Sequence, residues 1–302
     1  MSKEMTTFKK MTSLKKINSM KLIRFGEINK EKTGIILNNK YYDTSSFGED
    51  YNEQFFESEG LHRLQNFVES NREKLPVVSK DIRLGSPVAR PSKIICIGLN
   101  YADHAKEAKA TIPVEPIIFL KSTTALSGPN DNIIIPKNSR KTDWEVELVV
   151  VIGKKTSYVD EGEALNHIAG FCLHNDLSER EFQLERGGQW VKGKSCDTFA
   201  PLGPFMATQD EIGDINNLRL WLTVNGQSMQ DSNTSNLIFK IPFLISYISQ
   251  FMTLLPGDVI STGTPGGVGL GMDPPVFLKA GDVVELGIDG LGTSKQNVVS
   301  YK

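Results

Sequence analysis

The sequence lacks long apolar runs and has no marked excess of either charge. Its longest apolar run, Leu148 to Ile152 in a chain of 302 residues, is far shorter than the roughly 20 residues that cross a bilayer. The 34 Lys and Arg residues nearly balance the 36 Asp and Glu residues, so neither a basic surface for nucleic acid nor an acidic tail is indicated. We therefore expect binding to neither a membrane nor a nucleic acid.

Cysteine is also scarce, and Cys96, Cys172 and Cys196 lie far apart with no Cys-x-x-Cys pair. A sparse, odd set argues against a disulfide scaffold and is typical of a reducing compartment, so we expect a cytoplasmic protein. All three lie in strand-like or packed contexts, where a structural thiol is commoner than a nucleophile. A catalytic cysteine stays open as the lesser alternative.

The composition is that of an ordinary globular protein, with 39% hydrophobic and 23% charged residues. A chain of this length predicts one large domain, or one large and one small domain. Residues 1–19 are rich in lysine and lack the apolar centre of a secretory signal, so we interpret them as a flexible extension. We expect residues 20–90 to form a small N-terminal α+β domain and residues 91–302 to form the main domain.

Strand-like segments separated by Gly, Pro and Asn turns dominate the chain after residue 93. The predicted strands of this part are Ile94–Ile97, Ile117–Leu120, Ile133–Ile135, Trp144–Ile152, Ile168–Asn175, Arg219–Val224 and Val283–Ile288. The predicted helices of the chain are Leu61–Glu73, Ala102–Lys109, Glu161–Asn166, Glu179–Glu185 and Pro242–Phe251. Strands and helices do not alternate regularly, so we predict a mixed α/β fold that is mostly β rather than a doubly wound sheet.

The most informative stretch, residues 143–153, carries two carboxylates on one predicted strand. Side chains alternate between the faces of a strand, so Glu145 and Glu147 point the same way. The residues Val149 to Ile152 are apolar on both faces, which predicts burial. Two carboxylates so close in a half-buried strand share a proton, pair with cations or bind a metal. Oxygen-only ligand sets of this kind suit Mg²⁺ or Mn²⁺.

A third carboxylate, Asp176, follows the predicted strand Ile168–Asn175 and could complete a triad with the two glutamates. Simpler interpretations stay open on spacing alone. A Glu-x-Glu pair is common on the wet face of an antiparallel strand, and Asp176 could cap the helix that follows it.

His104 and Glu107 lie three residues apart on a predicted short helix and therefore share one face. A carboxylate beside a histidine raises its basicity and fixes its tautomer, as a general base requires. The helix has few large apolar anchors, so it could order over a substrate as lids do. A weak surface ion pair is the alternative. The remaining histidines, His62, His167 and His174, have no ligand spacing, and we interpret them as structural or surface residues.

Hydrogen-bond donors follow Asp176 closely in the sequence, among them Arg180, Gln183 and Lys194, and Lys121 ends another predicted strand. An anionic substrate rich in oxygen would need such donors near a metal, although each alone is more often a surface group.

The glycine-rich run Ser261–Gly271 invites comparison with a nucleotide site, but it lacks the Lys-Ser/Thr of a phosphate-binding loop and no βαβ unit accompanies it. We interpret it as a tight loop that presents Thr264 and backbone N–H groups to a carboxylate. The chain also contains neither a Gly-x-Ser-x-Gly elbow nor a His-Glu-x-x-His motif.

Five motifs, taken in order, resemble the fumarylacetoacetate hydrolase family from Lys93 to the C-terminus. They are Gly98-Leu-Asn-Tyr-Ala-Asp-His104, Asp143-Trp-Glu-Val-Glu-Leu148, Asn175-Asp-Leu-Ser-Glu-Arg180, Lys192-Gly-Lys-Ser-Cys-Asp197 and Pro256-Gly-Asp-Val-Ile-Ser-Thr-Gly-Thr-Pro265. Several motifs at family-like spacing are far more specific than any one of them, so they favour the functional interpretation of each. The resemblance implies the family's mixed β-roll behind a smaller N-terminal domain, and usually a homodimer.

The resemblance also implies roles for matched positions. Glu145, Glu147 and Asp176 match the family's metal ligands, which usually hold Mg²⁺, and Mn²⁺ or Ca²⁺ would also suit an oxygen-only site. His104 and Glu107 match the water-activating pair on the lid helix.

The remaining matched positions concern the substrate. Lys194 matches the family's active-site lysine, and Arg180, Gln183 and Thr264 match positions that bind substrate. We add Lys121 to the substrate-binding set because of its place at a strand end.

Within the family, residues 178–190 look most like the 2,4-diketo-3-deoxy-L-fuconate hydrolases and their rhamnonate relatives, a subgroup that is often labelled ureidoglycolate lyase. The resemblance therefore implies metal-dependent hydrolysis of a carbon–carbon bond in a small 2,4-diketo acid, which yields pyruvate and a hydroxy acid. Oxaloacetate tautomerases and decarboxylases typically have Ser-Ala-Arg-Asp where this chain has Ser178-Glu-Arg-Glu181, which disfavours that alternative without removing it. A small-molecule-binding protein with a relic site is a third alternative.

Overall fold

The computed structural model describes residues 19–107 and 111–302. Five α-helices lie in that part of the chain: α1 (Glu53–Glu57), α2 (Gly60–Asn71), α3 (Ala102–Glu107), α4 (Val191–Lys194) and α5 (Ile241–Ile248). No helix of these residues is long and apolar enough to cross a membrane. The predicted extension falls almost wholly on residues 1–18, outside the described residues.

Strands outnumber helices, which confirms the prediction of a mixed α/β fold that is mostly β. In chain order the strands are β1 (Lys21–Phe25), β2 (Lys32–Leu37), β3 (Lys40–Asp43), β4 (Val77–Val78), β5 (Leu84–Gly85), β6 (Ile94–Gly98), β7 (Ile117–Lys121), β8 (Leu126–Ser127), β9 (Ile133–Ile135), β10 (Thr142–Asp143), β11 (Val146–Ile152), β12 (Ile168–Asn175), β13 (Ser178–Glu179), β14 (Ala200–Pro201), β15 (Met206–Thr208), β16 (Arg219–Val224), β17 (Gln227–Asn233), β18 (Val259–Ser261), β19 (Val283–Ile288) and β20 (Gly292–Ser300).

One large sheet of eleven strands forms the centre of the fold. Its strand order is β4-β3-β2-β1-β15-β12-β11-β18-β6-β7, and β5 pairs with β1 beside this path. A second sheet has the order β17-β16-β19-β20-β9, and its strands β16 and β19 lie against β11 and β12. Strand β11 is buried on both faces along its whole length, because sheet neighbours flank it and the second sheet covers it.

The N-terminal strands continue the large sheet rather than forming one of their own. Strand β1 pairs antiparallel with β2 on one side and with β15 on the other, where Leu22 lies opposite Met206. Hydrogen bonds therefore run from residues 20–90 into the sheet that carries β11. The predicted division at residue 90 stays a prediction.

The predicted elements recur with small shifts of their ends. The turn at Asn225-Gly226 is confirmed, since both residues have positive φ angles, of 52° and 78°, as tight hairpins between twisted strands require. The helix predicted over Glu179–Glu185 is wrong at its start, because Ser178 and Glu179 form β13 and only Glu181–Glu185 coil, as a π-helix.

Several observed strands had no clear pattern in the sequence. Strand β17 consists of the polar residues Gln227 to Asn233 around one methionine, and β18 has only three residues. Such strands are held by their neighbours in the sheet, so their own side chains carry little periodic signal.

The junction between β12 and β15 offers a test of this topology. A Cβ atom added to Gly170 would lie 2.2 Å from the carbonyl oxygen of Ala207 in β15. We expect Gly170→Ala to lower the free energy of unfolding by about 1–3 kcal/mol, because the backbones must separate. A thermal melt measures the loss. The matched control is Gly213→Ala, where an added Cβ meets nothing within 4 Å, and equal melting temperatures for both variants would contradict the assigned pairing.

Candidate active site

Three carboxylates converge where β11 begins and β12 ends. The two strands pair antiparallel with Val146 opposite Asn175, so the residues just outside this pair, Glu145 and Asp176, are brought together, and Glu147 follows one position inside β11. One oxygen of each carboxylate lies within 4.8 Å of the others, and all three side chains are buried. The predicted triad is therefore assembled, and the alternative of a wet-face Glu-x-Glu pair is wrong.

Glu147 has no cationic partner within the described residues. Its Oε2 atom accepts hydrogen bonds from the Ser261 hydroxyl and from the backbone N–H of Gly263, the latter at 2.9 Å. No donor of the described chain bonds to its other oxygen. Burial, together with the charges of Asp176 and Glu145, raises the pKa of Glu147 well above its ordinary value. A cation placed beside Oε1 would relieve this cost, because it would stabilise the ionised form.

Two buried lysines stand on either side of Asp176. The Nζ of Lys194 lies 2.9 Å from Asp176 Oδ2 and 2.6 Å from Glu145 Oε2. The Nζ of Lys121 donates to Asp176 Oδ1 and to the carbonyl oxygen of Leu177. Burial alone would raise the pKa of Asp176, but the two ammonium charges hold it below its ordinary value. Asp176 is therefore a carboxylate at neutral pH, and the helix-cap alternative finds no support.

Arg180 is held by acidic neighbours. Its Nε lies 2.8 Å from Asp143 Oδ2, its Nη2 lies 2.7 Å from Glu145 Oε1, and its Nη1 donates to Gln183 Oε1 at 3.0 Å. Burial opposes its charge, but the two carboxylates raise the pKa of Arg180 further above its ordinary value. The guanidinium thus fixes Glu145 in place from the side opposite to Lys194.

The triad fits a hard divalent cation. All its donor atoms are carboxylate oxygens, the set that Mg²⁺, Mn²⁺ and Ca²⁺ prefer. Among the described residues, one oxygen of Glu147 has no hydrogen-bond donor and no cation forms an ion pair with this side chain. Glu145, Glu147 and Asp176 would hold the ion.

A cavity of about 510 Å³ opens beside the triad. Its lining contains most of the predicted site residues together with apolar side chains: Ile97, Gly98, Leu99, His104, Glu107, Phe119, Glu145, Glu147, Arg180, Gln183, Leu184, Trp190, Lys194, Thr264, Val268, Leu270, Gly271, Met272 and Asp273. A volume of this size matches small-molecule sites. The fold therefore places two of the three predicted metal ligands, Glu145 and Glu147, and the predicted His–Glu pair on one cavity, with Asp176 buried directly behind the two glutamates.

Helix α3 is docked over this cavity rather than free. His104 Nδ1 lies 3.3 Å from Glu107 Oε2, which forms the predicted pair. The other oxygen of Glu107 accepts the backbone N–H of Gly267 at 2.9 Å, and Asp103 accepts a hydrogen bond from Ser232 at 2.6 Å. Hydrogen bonds from both ends of the helix therefore hold it in place. The last two residues of the predicted helix, Ala108 and Lys109, lie outside the described residues.

The glycine-rich loop presents its N–H groups to carboxylates, but they belong to the protein itself. Gly263 donates to Glu147, Gly267 donates to Glu107, and Gly269 donates to Asp143 at 2.7 Å. The loop therefore orients side chains from three other parts of the chain. The expected external carboxylate is thus replaced, at these N–H groups, by carboxylates of the protein.

The predicted substrate-binding residues fall into two groups. Gln183 and Thr264 line the cavity together with Arg180, and the Thr264 hydroxyl donates to the carbonyl oxygen of Val146 at 3.0 Å. Lys121 is buried behind Asp176 and is not among the residues that line the cavity. Its position indicates a contact with the triad rather than with a substrate.

The sequence predicted no functional role for His174, which supports the triad through the Ser261 hydroxyl. Its Nδ1 lies 2.8 Å from the Ser261 hydroxyl, and that hydroxyl donates to Glu147, so the histidine must donate to the hydroxyl. Burial lowers the pKa of His174 to about 3, which keeps the ring neutral. The available signal was the strand register, because His174 lies directly opposite Glu147.

Two buried amides were missed for a similar reason. Asn175 accepts the backbone N–H of Glu145 at 3.1 Å, and Gln230 accepts that of Val146 at 3.0 Å. Gln230 also donates to Thr264 at 2.9 Å. These contacts join β11, β12, β17 and the glycine-rich loop, and separations of 30 to 84 residues leave no trace in local sequence.

The cysteines do not supply a nucleophile. None of them lines the cavity. Burial raises the pKa of Cys96 and of Cys172, and it raises that of Cys196 to about 11. A nucleophilic thiol needs the opposite shift, so the structural interpretation of all three agrees with their surroundings.

Comparison with known proteins identifies the family. The family model "Fumarylacetoacetate (FAA) hydrolase C-terminal" matches residues 93–299. The chain belongs to the fumarylacetoacetate hydrolase family, as its motifs predicted. A protein of Burkholderia ambifaria that bears a provisional name as a hydrolase is 52% identical over 278 residues, which cover 91% of this chain and 98% of that protein.

Solved structures of the family include hydrolases and isomerases. Fumarylacetoacetate hydrolase from Exiguobacterium antarcticum has a TM-score of 0.81 and 31% identity, covering 93% of this chain and 100% of that one. Maleylpyruvate hydrolase from Sphingobium sp. SYK-6, solved with manganese(II) and pyruvate, has a TM-score of 0.79 and 30% identity, covering 94% and 100%. The 2-hydroxyhepta-2,4-diene-1,7-dioate isomerase from Mycobacterium marinum has a TM-score of 0.69 and 32% identity, covering 93% and 98%.

Removing the charge of Glu147 tests the metal site. We expect Glu147→Gln to weaken Mn²⁺ binding at least about tenfold, because a neutral amide is a poorer ligand for a hard cation. Isothermal titration calorimetry of the purified, EDTA-treated protein measures the affinity. The control is Glu57→Gln, which removes an exposed carboxylate of α1. Equal affinities for the two variants would refute the assignment of Glu147 as a ligand.

Proposed function

We propose that this protein is a divalent-metal-dependent hydrolase that cleaves a carbon–carbon bond in a small 2,4-diketo acid, releasing pyruvate and a second acid. The observation that carries the proposal is that Glu145 and Glu147, two members of the carboxylate triad, meet the His104–Glu107 pair on one cavity. The first arrangement suits a hard cation, and the second suits a general base. Mg²⁺ is the proposed physiological ion, and Mn²⁺ and Ca²⁺ are alternatives for the same ligands.

The comparisons support a reaction that involves pyruvate and a metal. The maleylpyruvate hydrolase structure contains manganese(II) and pyruvate, and it shares 30% of its residues with this chain over nearly the full length of both. The same kind of ligand set and product would suit the site described above.

A bound ion would supply a Lewis acid that stabilises negative charge developing on the 2-oxo acid head. Glu145, Glu147 and Asp176 would hold it, and the surrounding hydrogen bonds already fix their orientation. Lys121 acts as a positioning residue in this proposal, because it fixes one oxygen of Asp176 without lining the cavity.

His104 is the proposed general base. Hydrogen bonds from His104 and from the backbone of Gly267 keep the pKa of Glu107 below its ordinary value, although burial acts in the opposite direction. An ionised Glu107 requires a proton on His104 Nδ1, which leaves Nε2 free to accept a proton from water. That water would attack the C4 carbonyl of the diketo acid. The C3–C4 bond would then break, with its electron pair leaving on C3 as the enolate of pyruvate and C4 becoming the second carboxylic acid. The proton taken up by His104 would pass to C3 and give pyruvate.

Lys194 and Arg180 would stabilise the negative charge that forms during the attack and cleavage. Burial works against the charge of Lys194, but Asp176 and Glu145 raise its pKa above the ordinary value, so it stays an ammonium across the neutral range. Gln183 and Thr264 line the same cavity and supply neutral donors for substrate oxygens. Fixed donors of this kind stabilise a developing oxyanion without reorganising.

The particular substrate proposed from the motif at residues 178–190 is 2,4-diketo-3-deoxy-L-fuconate or a close relative, and a ureidoglycolate lyase activity is the alternative within that subgroup. A second reaction class, tautomerisation or decarboxylation of oxaloacetate, would use the same cation site without hydrolytic water. The similarity to an isomerase structure favours retaining this alternative. We further propose that the enzyme acts in the cytoplasm as a homodimer.

Replacing His104 separates the two reaction classes. We expect His104→Gln to lower kcat for pyruvate release from a 2,4-diketo acid by about 10²- to 10⁴-fold, because the general base is lost, while Mn²⁺ affinity stays unchanged. A coupled pyruvate assay with Mg²⁺ measures the rate, with and without EDTA. The matched control is His62→Gln on α2, which lies outside the cavity lining.

The same assay with oxaloacetate completes the test. Turnover confined to oxaloacetate and unaffected by His104→Gln would overturn the hydrolase proposal in favour of the tautomerase or decarboxylase reaction. Activity on diketo acids that persists in EDTA would remove the metal from the mechanism.

A further inference from the structure

We propose that the substrate's tail, the part beyond the bond that is cleaved, is uncharged, so that a 2,4-diketo acid with a second carboxylate is a poor substrate. This inference rests on the proposed function in taking the bound ligand to be the substrate. Its physical basis is the charge and shape of the cavity wall. The head of the molecule would lie at the buried triad, and the tail would extend toward the cavity mouth.

The fixed cations of the cavity are already occupied. Among the described residues that line it, Arg180 and Lys194 carry permanent positive charge. Arg180 binds Asp143 and Glu145 at 2.8 and 2.7 Å, and Lys194 binds Glu145 and Asp176 at 2.6 and 2.9 Å. Both are at most 7% exposed in their side chains. Neither can turn toward a distal carboxylate without leaving buried acids unpaired, which is costly.

The charge balance of the wall disfavours a second anion. Four carboxylates, those of Glu107, Glu145, Glu147 and Asp273, line the cavity against the two fixed cations. A divalent ion would cancel this excess, and the carboxylate of the substrate head would then restore a net negative charge. Asp273 is exposed, so it lies toward the mouth, where it would repel a negatively charged tail.

The outer part of the wall is apolar. Leu184 and Leu270 line the cavity and are 45% and 39% exposed, so they present apolar surface near its mouth. Trp190 completes this wall, packed edge-on against Phe119 with ring centroids 5.3 Å apart. A neutral tail would cover these side chains, whereas a carboxylate placed against them would lose water without gaining a partner.

The inference separates this chain from two of its structural relatives. The Mycobacterium marinum isomerase is named for a dioate, and the Sphingobium hydrolase is named for maleylpyruvate. Both compounds have two carboxylates. We therefore infer that the likeness in fold does not extend to the recognition of a charged tail.

Equilibrium binding tests the inference without requiring turnover. The probes are 2-oxohexanoate and 2-oxohexanedioate, which have the same length and differ in a terminal methyl or carboxylate, titrated calorimetrically into the Mn²⁺-loaded protein. We expect the monoacid to bind at least about tenfold more tightly, because the second carboxylate meets a wall whose described residues offer no free cation. Equal affinities, or tighter binding of the diacid, would overturn the inference.

A positive charge introduced on the cavity wall provides a second test of the inference. Leu184→Lys should reduce the ratio of the two probe affinities at least about fivefold, since it supplies a cation at the mouth. The matched control is Leu184→Met, which is of similar size and should retain the preference for the monoacid. An unchanged preference in the lysine variant would also count against the inference, because the tail would then not contact this wall.

Turnover of the matched diketo acids, 2,4-dioxoheptanoate and 2,4-dioxoheptanedioate, distinguishes the two levels of the proposal. Pyruvate release from the first at a kcat/KM at least about tenfold above that for the second would support both. Release from both at equal efficiency would leave the hydrolase in place and overturn the neutral tail. A clear binding preference with no pyruvate release from either compound would overturn the hydrolase and retain the neutral tail.

Discussion

Repulsion between three buried carboxylates is the constraint on which the rest of the site depends. Glu145, Glu147 and Asp176 meet because β11 and β12 pair with Val146 opposite Asn175, and burial makes their mutual repulsion expensive. Much of the surrounding structure answers that cost, through Lys121, Lys194 and Arg180. None of these three cations forms an ion pair with Glu147, and one of its oxygens has no hydrogen-bond donor among the described residues. This remaining negative charge is what a divalent cation would neutralise.

The glycine-rich loop shows how the same constraint shapes the backbone. Four of its N–H groups bind Glu147, Glu107 and Asp143, so one segment holds β11, the helix over the cavity and the carboxylate behind Arg180. An added Cβ at Gly267 would lie 1.9 Å from the carbonyl oxygen of Met229, so a side chain could not be accommodated there. The loop acts as a frame for the site.

Commitment of cations to the triad has a consequence for recognition. Because Arg180 and Lys194 neutralise buried acids, they recognise the head of a ligand only together with those acids, and they are unavailable for a second charge at its tail. The head and the tail of a ligand therefore meet walls of different character, one polar and rigid and the other apolar and partly exposed. This division explains how family members with one type of head chemistry could differ in the tail that they accept.

The sequence by itself determined the family and which candidate site residues share a face. Glu145 and Glu147 share a face because side chains alternate along a strand, His104 and Glu107 share one because they lie three apart on a helix, and the motifs fixed the family. Which groups actually meet was decided by tertiary structure. Lys121 lies behind Asp176 instead of in the cavity, the loop N–H groups bind the protein's own acids, and His174 in β12 and Gln230 in β17 support β11. These contacts depend on strand register and sheet order, which join residues far apart in the chain and are therefore invisible to local periodicity.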